Sequence, residues 1–315
     1  MKLTVIVPTF NRAELLAEAI DSILRQSPPV YEIVISDDGS SDATQNLCKK
    51  WQQTHYQTRI VVTRSSDNLG AQVARNRGMK LATGDAILFM DSDDVLADNG
   101  VLPLVRELQC DQHLDYVYGQ VLKVNFQLEP IKDIKPIGTK VSPAPVEIAG
   151  YHWHTMGAIY RRDYLRKVGC WNEKLTGSQD WEFQARVKLA GGQGKFVEHV
   201  IGLWRDHSSN RVGTKSFRYD YVESVVHACL LIRDKSWEIG IFDRALERRL
   251  ARKIMVHALE FAVNGYDRHK SDSLHHAIKT LRYDPAIQFL VRLWQILPNN
   301  FDFILWQIIN YGKQH

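Results

Sequence analysis

Residues 3–38, LTVIVPTFNRAELLAEAIDSILRQSPPVYEIVISDD, decide the fold. Leu3–Val7 is a short β-rich apolar run that ends at Pro8. Arg12–Arg25 then carries apolar residues at helical spacing, and Glu32–Ser36 is a second β-rich run. Strand, helix and strand in so short a stretch form one right-handed crossover, which makes the two strands parallel. The pattern repeats downstream, with strands at Arg59–Thr63 and Ala86–Met90 and helices at Asp42–Thr54 and Ala71–Ala82. The strands are nearly all apolar, as expected when helices cover both faces of a sheet. The expectation is an α/β fold: a Rossmann-like, mostly parallel sheet flanked by helices.

Farther along the chain the pattern loosens. A helix near Asn99–Gln109 and a strand near Tyr116–Val124 lead into an irregular segment, Glu129 to Pro145, of the kind often used as a binding loop. A helix at Asp180–Ala190 follows, then strands near Lys195–His199 and Gly202–Trp204. From about Ser216 the pattern is wholly helical, so the expected division is an α/β domain over 1–215 and a helical C-terminal extension over 216–315.

Composition narrows the class. The chain has 315 residues, 44% of them hydrophobic, which suffices for one large domain plus an extension. Its net charge of +4 comes entirely from the part after residue 230, and no dense basic stripe suggests nucleic acid as a partner. The four cysteines are far apart and form no CxxC pair, which argues against a zinc site or disulfide framework and fits a reducing compartment. Lys2 leads directly into a strand, and no apolar run reaches the roughly 20 residues that span a bilayer. The expected location is cytoplasmic, either free or peripheral at the inner face of the plasma membrane.

In an open parallel sheet, ligands bind beyond the carboxyl ends of the strands. The polar residues crowd there: Pro8, Thr9 and Asn11 after the first strand, Asp37 and Asp38 after the second, Asn68 and Gly70 after the third, and Asp91, Ser92, Asp93 and Asp94 after the fourth. The first turn, PTFNR, is neither GxGxxG nor a P-loop, which disfavours a dinucleotide oxidoreductase or a P-loop enzyme. A site that meets phosphate with carboxylates needs a metal between the two. Asp91-Ser92-Asp93 offers oxygens suited to Mg²⁺ or Mn²⁺; the plainer alternative is an acidic turn capping the next helix. An EF-hand is excluded, because its glycine and distal glutamate are missing.

The strings VIVPTFNR, SDDGSSDAT, NLGAQVARNRG, GDAILFMDSDD, TGSQDWEFQAR and WRDHSSNR, in this order over roughly residues 3 to 212, resemble the family 2 glycosyltransferases, inverting enzymes of the GT-A fold. The resemblance implies transfer of a sugar from a nucleotide-diphosphate donor, with UDP favoured, to a saccharide or lipid-linked saccharide in cell-surface polysaccharide synthesis. It implies that Thr9, Asp37 and Asp38 hold the nucleobase, that Arg75 reaches the nucleotide, and that Asp91 and Ser92 face the ribose. Asp93 and His207 would hold the metal, with His207 and Arg211 near the diphosphate. Asp180 would be the catalytic base. Where the family commonly has an acidic pair, this chain has Gln179-Asp180, so one carboxylate is missing. Asp180 also reads as a helix N-terminal aspartate, a role compatible with the first. The competing reading is a silent nucleotide-sugar sensor or scaffold.

Gly150–Tyr160, GYHWHTMGAIY, matches part of the family's acceptor region. Trp153, with His152 or His154, reads equally as a sugar contact or as core, and Trp171 and Trp181 are similarly two-sided. Near the C-terminus, AIQFLVRLWQI and FDFILWQIINY read as interfacial helices in peripheral membrane contact, or as helices packed on the protein itself or on a second copy in a homodimer.

Overall fold

The computed structural model describes residues 1–54, 57–206 and 219–263. His207, Arg211 and the two aromatic C-terminal stretches lie outside the described residues. The chain divides into two compact units. The first comprises Met1–Ser142, Tyr151–Glu173 and the described part of Arg186–Ser209. The second comprises Pro143–Gly150, Lys174–Ala185 and the described part of Asn210–His315.

The first unit is an α/β sandwich. Its strands are β1 (Leu3–Thr9), β2 (Glu32–Asp37), β3 (Arg59–Arg64), β4 (Ala86–Phe89), β5 (Val95–Leu96), β6 (Tyr116–Val124), β7 (Ala158–Arg161) and β8 (Gly194–Arg205). They form one sheet in the order β3-β2-β1-β4-β7-β6-β8-β5. The pairs β1–β2, β2–β3, β1–β4 and β6–β8 are parallel; β4–β7, β6–β7 and β5–β8 are antiparallel. The helices are α1 (Ala13–Leu24), α2 (Thr44–Thr54), α3 (Ala71–Leu81), α4 (Leu102–Cys110) and α5 (Arg162–Val168).

Apolar spacing explains the packing. Leu16, Ala19, Ile20 and Ile23 form one stripe of α1 and are fully buried with Val5, Val7, Ile33, Ile35 and Leu88 of the sheet. α3 lies close against β1 because Gly78 has no side chain: a Cβ there would come within 2.5 Å of Ile6 Cγ2. That approach carries Arg75, three residues earlier, to the carboxyl edge of the sheet. A buried polar tie closes the opposite edge. Glu32 accepts from Thr4 Oγ1 (2.8 Å), Thr83 N (2.8 Å) and Thr83 Oγ1 (2.8 Å), and pairs with Arg59.

Three elements are absent from the sequence reading: β5, β7 and α5. Each is seven residues or shorter, too short to display a period. The two strands expected at Lys195–His199 and Gly202–Trp204 are one strand, β8, interrupted by register shifts opposite Tyr118–Val121. The segment Glu129 to Pro145 is irregular, as expected, and is tied to β6 by the bridges Val121↔Ile137 and Val124↔Pro130.

The second unit contains α7 (Tyr219–Glu238) and α8 (Arg244–Val263), together with the 3-10 turn Pro145–Ala149. The start of α6 (Gln179–Leu189) also belongs to it. Val222, Val225, Cys229 and Ile232 make the buried stripe of α7; Leu246, Leu250 and Ile254 make that of α8. Ser224 donates to Gly177 O (2.9 Å) and accepts from Gly177 N (3.1 Å). Only glycine fits there, since a Cβ would sit 2.1 Å from the Tyr221 ring.

The four cysteines are free, with Cys48 and Cys229 buried and Cys110 and Cys170 exposed. Burial pushes the Cys48 and Cys229 thiols up to about 12, with nearby Asp37 and Asp42 adding to the effect at Cys48. Thiolates, not thiols, attack disulfide reagents. With an aromatic disulfide at neutral pH, Cys110 and Cys170 should react in the native protein, and Cys48 and Cys229 only after unfolding. Peptide mapping of the modified protein checks this; early labelling of Cys48 would show that the α2 packing is wrong.

Candidate active site

The strand order reverses beside β1: β2 and β3 lie on one side, and the chain then crosses to β4 on the other. Ligand crevices form at such points. The register aligns Thr9 with Asp37 and Ile6 with Phe89, so the residues following all three strands meet at one edge.

Each turn is fixed by its own side chains. Asn11 takes a left-handed conformation (φ 50°), and its Oδ1 accepts from Ser41 N (2.8 Å), while its own N–H donates to Ser40 Oγ (2.9 Å). Asp37 accepts from Ser40 N (2.9 Å) and pairs with Arg64 (3.2 Å). Asp38 accepts from the N–H groups of Leu69 (2.9 Å) and Gly70 (2.7 Å) and from Arg77 (3.3 Å). That carboxylate thereby shapes the turn containing Asn68, and Gly70 adopts a φ of 101° that favours glycine. Thr9 is buried at the end of β1, and its Oγ1 has no hydrogen-bond partner among the described residues.

The acidic centre follows β4. Carboxylate oxygens of Asp91, Asp93 and Asp94 lie within 4.8 Å of one another. Two unit charges at that spacing repel by roughly 3 to 4 kcal/mol at an effective dielectric near 20, so the cluster needs compensation. Arg75 donates to Asp91 Oδ1 (2.5 Å), with its guanidinium 4.4 Å from the Trp171 ring centroid. Arg12 donates to Asp93 Oδ2 (2.5 Å). Asp94 accepts from Arg205 N (3.1 Å) and lies 4.0 Å from His154 Nδ1. Arg205, buried at the end of β8, donates to Asp93 O (3.1 Å), Phe126 O (2.6 Å) and Glu18 (2.5 Å). Ser92 is buried between the two aspartates.

This centre fits a hard divalent cation. Three carboxylates with oxygen donors within one coordination sphere's reach match Mg²⁺ or Mn²⁺ in ligand type. They do not match zinc, which in closed sites takes cysteine and histidine.

Two expected acceptor residues are otherwise employed. Trp153 is fully buried; its Nε1 donates to Tyr160 OH (2.8 Å), and its ring packs against Tyr116 and Tyr118. No face is left for a sugar to stack on, so Trp153 is a core residue. Trp181, also buried, donates to Ala149 O (2.9 Å) and lies beneath Lys253 (4.3 Å). It braces the second unit. His154 stands beside Asp94, against the ring of Trp204. Asp180 begins α6 in the second unit, half-buried, and its Oδ1 accepts from Trp181 N (2.9 Å), as the helix-start reading expects.

Arg12 and Arg205 are absent from the sequence assignments, which place Asp94 at the ligand edge without a metal role. A signal was present. Arg205 ends the apolar run IGLWR, where a cation buried in a strand requires carbonyl or carboxylate partners.

The sequence profile of Glycosyl transferase family 2 matches residues 4–169, more than half of the chain. The chain belongs to that family. Among the relatives of this glycosyltransferase is the uncharacterized glycosyltransferase YwdF of Bacillus subtilis, 24% identical over 81% of this chain and 95% of YwdF. A PGL/p-HBAD biosynthesis glycosyltransferase of Mycobacterium bovis is 30% identical over 58% of this chain and 68% of its own. Among solved structures, S. aureus TarS 1-349 in complex with UDP-GlcNAc shares the fold, with a TM-score of 0.68 and 19% identity over 89% of this chain and 80% of that one. The mannosyltransferase PcManGT from Pyrobaculum calidifontis, in complex with GDP-Man and Mn²⁺, has a TM-score of 0.57 and 19% identity over 95% and 84%.

The charge balance gives this glycosyltransferase a pH signature. Burial by itself would raise the Asp91 carboxyl, but Arg75, His154 and Arg12 outweigh it and hold Asp91 below the ordinary carboxylate value. Its contribution to stability is then complete above the ordinary carboxylate range and is lost as pH falls through the lowered folded value. In Arg75→Gln, Asp91 protonates at higher pH, so acid unfolding followed by circular dichroism should begin at higher pH than in the wild type. An unmoved acid transition would show that Arg75 does not hold this charge.

Proposed function

We propose that this family 2 member is an inverting, metal-dependent glycosyltransferase. It would move a sugar from a nucleoside-diphosphate donor, UDP-linked in the favoured case, to a hydroxyl of a saccharide or lipid-linked saccharide. The observation that carries the reading is the triad of carboxylates after β4, held within 4.8 Å and braced by Arg75, Arg12 and Arg205. Support also comes from the neighbours, one bound to UDP-GlcNAc and another to GDP-Man and Mn²⁺. Four free cysteines agree with a cytoplasmic setting.

In this reading Thr9, whose buried Oγ1 has no partner among the described residues, meets the nucleobase together with Asp37 and Asp38, and Asp38 also keeps the Asn68–Gly70 turn in place. Pro8 and Asn11 hold the β1 turn open. Arg75 and Ser92 position the nucleotide beside Asp91. Asp91, Asp93 and Asp94 would hold the cation, with His207 as the expected further ligand. When bound, Mn²⁺ or Mg²⁺ supplies positive charge against the oxygens of the leaving diphosphate. Asp180 accepts the acceptor hydroxyl's proton as its oxygen bonds to the anomeric carbon. The bond from that carbon to the diphosphate breaks in the same displacement, and the nucleoside diphosphate leaves with the electron pair. One displacement inverts the centre, and no covalent sugar–enzyme species forms.

The test is nucleoside-diphosphate release from a panel of nucleotide sugars with Mn²⁺, with and without saccharide acceptors. Asp180→Asn should reduce transfer on the order of 10²- to 10⁴-fold, as for loss of a general base, while donor binding by calorimetry survives. Asp93→Ala should weaken both. Undiminished transfer by Asp180→Asn would remove that residue from the mechanism. No turnover of any donor by the wild type, despite tight binding, would favour a nucleotide-sugar sensor.

A further inference from the structure

α7 and α8 are joined by a closed, hydrogen-bonded turn whose side chains the second unit does not use. Ile241 N donates to Ser236 O (3.0 Å), Gly240 N to Trp237 O (3.0 Å), and Gly240 turns the chain at a φ of 74°. Asp243 caps α8 through Leu246 N (2.7 Å). The turn sequence is Trp237-Glu238-Ile239-Gly240-Ile241-Phe242. Trp237 is 71% exposed and Ile239 43%, and the Trp237 and Phe242 rings lie 5.6 Å apart. Ile232, Ser236, Leu246 and Leu250 are the residues buried here, so core packing does not explain the aromatic tip.

A second observation concerns charge. Arg244, Arg248 and Arg252 follow the tip at intervals of four, which places them in one row along α8; all are exposed, and Val256 continues the row. None of the three arginines has an ion-pair partner among the described residues. Their neighbours do: Arg249 faces Glu147 (3.8 Å), Lys235 pairs with Glu238 (2.8 Å), and Arg233 pairs with Asp234 (2.6 Å). Like charges repeated at this spacing oppose helix formation slightly, so the row is neutralised best by anions from outside the unit.

An exposed indole beside an unneutralised arginine row suits one environment particularly well. Indoles settle at the headgroup level of a bilayer, apolar side chains enter the acyl boundary, and guanidinium groups meet lipid phosphates. The geometry points to the α7–α8 turn as a docking tip for an anionic lipid surface, with Trp237 and Ile239 inserting and Arg244, Arg248 and Arg252 lying on the headgroups. The tip precedes the aromatic C-terminal stretches in the sequence, and the proposal does not depend on the transferase reading.

The test is co-sedimentation of the full chain with phosphatidylcholine vesicles, with and without phosphatidylglycerol. The wild type should bind the anionic vesicles and release at high salt. Trp237→Ala, and separately the triple change Arg244→Gln, Arg248→Gln and Arg252→Gln, should each lower binding on the order of tenfold. Near-UV circular dichroism checks that these exposed changes leave the fold intact. Brominated lipid should quench part of the tryptophan fluorescence, and that part should disappear in Trp237→Phe. No binding of the wild type to anionic vesicles would overturn the proposal, as would undiminished binding by both folded variants. It would also fall if the wild type ignored vesicles and self-associated through a contact that Trp237→Ala abolished, since a second copy would then cover the tip.

Discussion

Three carboxylates within one coordination sphere's reach cannot share a partly buried turn without cations, and much of the first unit answers to that constraint. Arg75 arrives from α3, Arg12 from the turn after β1, and Arg205 from the end of β8. They come from three distant parts of the sequence. The packing of Gly78 on Ile6 sets how near α3 lies to the sheet, and so where Arg75 ends. The antiparallel strands β7 and β6 carry the sheet across to β8, whose last residue holds the backbone of Asp93. A fold with only the parallel strands β1 to β4 would have the acids without their full brace.

The arginines act in different ways. Arg75 and Arg12 touch carboxylate oxygens directly and balance charge. Arg205 binds main-chain carbonyls and Glu18, so it fixes the path of the turn. Such a division balances the acidic charge and, separately, fixes the shape of the turn that carries it. Arginine's planar fork, holding several acceptors at once, is better matched to this than lysine's single ammonium.

The parallel half of the fold was legible because its strands are apolar and its helices long enough to show a period. Thr9, Asp37, Asp38 and Asp91–Asp94 could be placed from the same pattern, since strand ends in such sheets share an edge. The cation that ends IGLWR is visible in the sequence, but the partners of Arg205 and Arg12 are not: their pairings span 112 and 81 residues, which local pattern does not encode. β7 and α5 were lost to brevity. Trp153 shows a further limit. An aromatic residue flanked by histidines looks the same on paper whether it faces a ligand or Tyr116, Tyr118 and Tyr160.

The most direct measurement is an anomalous difference map from crystals grown with Mn²⁺ and a nucleoside diphosphate. The account predicts one strong peak among the carboxylates after β4, next to the nucleotide's phosphates. A peak elsewhere, or phosphates held by arginines alone with no metal beside Asp93, would contradict it.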